Sequence, residues 1–65
     1  MKKYLTPSGY VVCLKVDSVG RYYKAVTNDF DFYAKHLRDL EWKSLEEAQA
    51  DLDKIAKENK LKDDR

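Results

Sequence analysis

The sequence predicts an α+β domain in the order β-β-β-α, a three-stranded antiparallel sheet with one C-terminal amphipathic helix packed on one of its faces. Three observations carry this reading. Two runs rich in β-branched and aromatic residues, YVVCLKV at 10–16 and RYYKAV at 21–26, flank the turn sequence Asp17-Ser18-Val19-Gly20, which is the pattern of a hairpin. Ser44 and Glu47 have the spacing of a capping box, in which the serine hydroxyl takes an orphan amide of the first helical turn. Beyond them Leu45, Ala48, Leu52, Ile55 and Ala56 fall on one stripe of a 3.6-residue period, and such a stripe needs a sheet to lie on.

Taken in order, residues 1–8 hold two lysines and then Thr6-Pro7-Ser8-Gly9, a cluster of breakers that predicts a flexible tail. The folded part is expected to span residues 10–59. In the hairpin, Asp17 opens the turn and Gly20 supplies a positive φ. Pairing Val16 with Arg21 puts Tyr10, Val12, Leu14, Tyr23 and Ala25 on one apolar face, and Val11, Cys13, Lys15, Tyr22 and Lys24 on the other. The alternative pairing of Asp17 with Arg21 would bring Tyr22 and Lys24 to the core face, and the first register is preferred because it buries no lysine. In residues 27–39, Phe30, Tyr33, Ala34 and Leu37 follow helical spacing behind an Asn28 or Asp29 cap, while Phe30 and Phe32 alternating with aspartates equally suit an extended strand, and the reading preferred is an irregular connection with a helical turn. Leu40-Glu41-Trp42-Lys43 alternates apolar and charged residues and predicts a third, edge strand with Leu40 and Trp42 inward. The helix is expected from Ser44 to about Glu58 with Asn59 as its C-cap, carboxylates early and lysines late as its dipole favours. Residues 60–65 are charged and are expected to fray.

At 65 residues the chain has room for one domain, whose core is thin. One cysteine, Cys13, allows no intramolecular disulfide and too few ligands for a cysteine-based zinc site, so a reducing, cytoplasmic location is expected. No run approaches the ~20 apolar residues of a membrane span, and MKKYLTPSGY lacks the apolar stretch of a signal peptide. The net charge of +1 hides an asymmetry: residues 1–28 carry five basic and one acidic side chain, residues 29–53 three basic and eight acidic. A near-neutral total argues against nonspecific nucleic-acid binding by bulk charge, yet each face of the fold can carry its own sign.

Catalysis would need Cys13 or a serine beside a base, and His36 is the only histidine. Cys13 lies mid-strand away from any helix N-terminus or basic cluster that would lower its pKa, which reads as a structural thiol. Asp29 and Asp31 lack the glycine and terminal glutamate of a calcium loop. Gly9 and Gly20, the two glycines, form no phosphate cradle. No catalytic residue, cofactor or metal site is therefore expected, and the chain reads as non-enzymatic. The candidate binding surface is the outer face of the hairpin, with Lys15, Arg21, Tyr22 and Lys24, joined by the Lys2-Lys3 tail: cations interleaved with a tyrosine suit phosphates and bases. The solvated side of the helix, with Glu46, Glu47, Gln49 and Asp53, is a second surface that suits a basic protein.

The run Tyr22-Tyr23 in a hairpin followed by WKSLEEAQADLDK resembles a recurrent pattern in small uncharacterised bacterial and phage proteins, in which a strand ending in an aromatic leads into a Ser/Thr-x-x-Glu-Ala helix. The resemblance covers the second half of the chain and implies an architecture, with no functional residue attached. Sheets of three strands backed by one helix are also found in certain DNA-binding domains of integrases and plant regulators, whose strongly basic balance this chain lacks. The function expected is a small accessory or inhibitory interaction module of bacterial or mobile-element origin that binds a protein partner. Nucleic-acid binding through the hairpin is the alternative, and a homodimer through sheet edges or free faces is left open.

Overall fold

In the computed structural model, which describes residues 2–64, the long helix forms where its stripe and cap place it. Helix α2 spans Leu45–Asn59, and the Ser44 hydroxyl accepts the Glu47 amide at 3.1 Å. Its end is a Schellman closure: Lys60 turns left-handed at φ 56°, its amide reaches back to Lys57, and the Leu61 amide donates to the Ala56 carbonyl at 2.8 Å. Leu61 then packs against the core, so the chain turns back onto the sheet instead of fraying.

The sheet has four antiparallel strands: β1 (Tyr4–Leu5), β2 (Val11–Val16), β3 (Tyr23–Thr27) and β4 (Lys62–Asp63), in the spatial order β3-β2-β1-β4. This corrects the expectation of three strands. The segments read as flexible and frayed tails supply β1 and β4, with Leu5 opposite both Val11 and Lys62; the parts of those tails at Met1 and Arg65 lie outside the described residues. Tyr4 and Thr6 are buried, and the breaker cluster makes a tight return instead of a loose end. The Thr6 amide and hydroxyl bond the Tyr10 carbonyl and amide, while Gly9, at φ 90°, donates to the Thr6 carbonyl. The expected third strand is reduced to a single bridge between Trp42 and Tyr23, whose backbones exchange two hydrogen bonds of 2.7 and 3.0 Å.

The hairpin register is two residues from the preferred one, since Val16 pairs with Tyr23 and Lys15 with Lys24. Asp17 explains the longer loop: its carbonyl accepts the Gly20 amide and its carboxylate the Arg21 amide, which keeps Arg21 out of the strand. A slip of two preserves the face of every side chain. Val12, Leu14 and Ala25 are buried under α2 as expected, although Tyr10, assigned to the same face, is 49% exposed beyond the strand.

Between sheet and helix, Asp29 caps a short helix α1 (Phe30–Phe32) that widens into a π-helical turn over Tyr33–Leu37. Asp29 Oδ1 accepts the Phe32 amide at 3.1 Å, and the Arg38 amide donates to the Tyr33 carbonyl at 2.9 Å. Residues five apart on an α-helix point about 140° from each other. The wider turn lets Phe32 and Leu37 both enter the core, leaving Phe30 in water. Ala25, Ala48 and Ala56, all nearly inaccessible, permit close approach of α2 to the sheet, and Leu52, Val12 and Leu37 fill the space between.

Candidate functional site

The core consumes one face of the sheet, and the strand pairings define what is left on the other. Alternation along the strands puts Leu5 beside Lys62 and Val11, Lys3 beside Cys13, Cys13 beside Val26, and Lys15 beside Lys24. Val11, Cys13, Lys15, Val26, Thr27 and Asn28 line a shallow depression of about 320 Å³ on this face. Its centre is aliphatic, with Val11 42% exposed and Cys13 and Val26 half-buried. Lys15 lines it, and the pairing places Lys3, Lys24 and Lys62 on the same face, with Asp64 opposite Lys3.

Of the four residues expected to form a binding surface, three share this face. Lys15 and Lys24 are directly opposed, an arrangement of like charges that weakens the sheet locally. Lys24 relieves part of the repulsion by donating from Nζ to the Arg38 carbonyl at 3.3 Å. Tyr22, 38% exposed, lies two residues before Lys24. Arg21 belongs to the loop. Among the described residues the ion pairs are Lys2 with Asp63 at 3.3 Å and Arg38 with Asp39 at 3.7 Å, and neither involves Lys15 or Lys62.

The Lys2-Lys3 tail is expected to join this surface, whereas Leu5 and Lys62 are not foreseen, because nothing in two dipeptide strands announces that they pair. Alternation in residues 3–5 is the one signal, and the Thr6-Pro7 breakers obscure it.

The second surface is altered more deeply. Gln49 Oε1 accepts the Lys2 amide at 3.0 Å and its Nε2 donates to the Lys2 carbonyl at 3.3 Å and to Asp53 at 2.9 Å. Asp53 also accepts the Tyr4 hydroxyl at 2.5 Å. Gln49 and Asp53 are thus the clasp of β1, Asp53 from an exposed position, while Glu46 and Glu47 stay in solvent. Asp51 accepts the Trp42 indole N–H at 2.6 Å and anchors the bridge residue in the same way.

Cys13 and His36 stand apart. Cys13 lines the open-face depression, whereas His36 stacks on Phe32 with ring centroids 4.7 Å apart and lines a groove against α2 with Lys35, Leu40, Asp51, Lys54, Ile55 and Glu58. No trio of metal-ligating side chains is gathered among the described residues, and no helix there is long and apolar enough to cross a membrane. No protein-family model, curated relative or solved structure matches the chain.

Proposed function

We propose that the chain is a non-enzymatic interaction module that binds a protein partner through the open face of its sheet. It acts as a cytoplasmic accessory or inhibitory protein of bacterial or mobile-element origin. One observation supports this above the rest: a sheet covered on one side only, whose free side has an aliphatic centre within a rim of lysines. An apolar centre with a polar rim is the anatomy of a protein interface, and the face has neither a general base nor a metal-ligand set with which to do chemistry. The test is capture from host lysate by wild-type chain and by Val11→Asp and Lys15→Glu, each with a melting temperature near wild type. A protein retained by wild type and lost from both variants supports the reading; equal capture by all three overturns it.

Nucleic-acid binding is the second reading, favoured by the opposed Lys15 and Lys24 with Tyr22 beside them. Titration with duplex and single-stranded oligonucleotides at two salt concentrations decides it. Phosphate contacts would make affinity fall steeply with salt and in Lys15→Ala/Lys24→Ala. Affinity indifferent to both removes this reading.

A further inference from the structure

We propose that the occupant of the open face is an amphipathic helix of the partner protein, with an aliphatic stripe and carboxylates along one flank. The proposal rests on the protein-binding reading above and adds the shape and charge of what binds. Strands lie about 4.8 Å apart and alternate residues along a strand about 6.7 Å apart. With the observed pairings, Leu5, Val11, Cys13 and Val26 form an oblique strip roughly 12 Å long, the length of about two helical turns. Lys3 and Lys15 stand along one side of that strip with the half-buried Lys24, whose ammonium is turned to the Arg38 carbonyl, and Lys62 stands at its end; Asp64, opposite Lys3, is the one carboxylate that the pairing places on this side, so cations outnumber it. The other side is free of cations: Asn28 closes the depression there. Two residues further, Phe30 is 79% exposed on a backbone held by the Asp29 cap. Such a rim selects a helix with acidic residues on the lysine side and neutral or apolar ones toward Asn28.

The other occupants fit less well. Bases stack on aromatic platforms, and the four central residues of this face are aliphatic or thiol. A second copy laid face to face would bring two lysine-bearing faces together, and like charges disfavour that pairing. The apolar stripe of a second copy's α2 is already buried in its own core. An added strand is resisted at both sheet edges, since Trp42 bridges β3 at Tyr23 and β4 is two charged residues long.

The probe is a synthetic 14-residue helical peptide with leucines at i, i+3, i+4 and i+7 and glutamates on one flank, titrated into the 15N-labelled full chain. Controls are the same peptide with lysines for glutamates and a single-stranded oligonucleotide of equal charge. Amide shifts confined to β1, β2 and β3, with affinity reduced about tenfold or more by Lys15→Glu/Lys24→Glu or by Val11→Asp, support the proposal. Shifts on α2 alone, equal binding of the lysine peptide, or tighter binding of the oligonucleotide at this face overturn it. So does sedimentation showing self-association that Lys15→Glu abolishes. Lysate capture that still depends on Val11 and Lys15, while the acidic peptide leaves the face untouched, retains the protein-binding reading and rejects the helix.

Discussion

Tyr4 joins more of the structure than any other single residue. Its ring is 5% exposed, its hydroxyl donates to Asp53, and Lys2 Nζ lies 5.3 Å from its centroid. Burial, then the hydrogen bond to Asp53 and the charges of Asp53 and Asp63, push the phenol up to about 12. The Tyr4 hydroxyl, then Gln49 and the Lys2 charge, hold the Asp53 carboxyl below its usual value against the opposing effect of burial. A phenol with a raised folded pKa stabilises fully below about pH 10 and loses that contribution as pH climbs toward 12; a lowered carboxyl stabilises above about pH 4 and loses it on further acidification. Tyr4→Phe keeps the ring and deletes the donor, so it should cost about 1 kcal/mol at pH 7. Denaturant midpoints at pH 7 and 11 should show a smaller alkaline loss in Tyr4→Phe than in wild type, and an equal loss would exclude Tyr4 as its source.

At the scale of the element, α2 is the part most legible from residue spacing, because cap, stripe and charge order all act within the helix itself. Its start at Ser44 depends on one side-chain bond, and Ser44→Ala should destabilise by about 1 kcal/mol. Its end is less economical: Lys60 takes a positive φ, a conformation in which a β-carbon is strained. Lys60→Gly should therefore stabilise by about 0.5–1 kcal/mol, a sign opposite to that of Ser44→Ala. Thermal melts of the two variants check both, and a destabilised Lys60→Gly would mean that the lysine stem contributes more than the backbone loses. The π-helical turn was not legible in this way. A spacing count favours Phe30, Tyr33, Ala34 and Leu37, whereas the sheet below accepts Phe32 and Leu37, and the extra residue in the turn accommodates that demand.

Across the whole molecule, both chain ends meet in one sheet, with β1 at its inside and β4 at its edge. Gln49 grips the backbone of Lys2, and Lys2 pairs with Asp63, so helix, first strand and last strand are one cooperative unit. Deletion of residues 2–5 removes the buried Tyr4, strips β4 of its neighbour and should cost about 3 kcal/mol or more. Deletion from Lys62 onward removes the edge strand β4, whose two residues are exposed, and should cost less. Circular dichroism melts rank the two, and tails independent of the fold would leave both midpoints unchanged. The open face belongs to this scale as well, because its lysines come from β2, β3, β4 and the residue before β1.

The chain's own order of residues determined the helix, the hairpin and the sides on which their residues lie. Capping and periodicity are local, and strand parity survives a two-residue slip. Only the tertiary structure decided that residues 4–5 and 62–63 are strands, that Trp42 makes a bridge, and that Gln49 and Asp53 hydrogen-bond residues 47 and 49 positions away in the first strand segment. Two-residue strands carry too little propensity of their own to be recognised. Their stability comes from the neighbours they pair with, and pairing partners distant in sequence leave no local mark on the residues that make them.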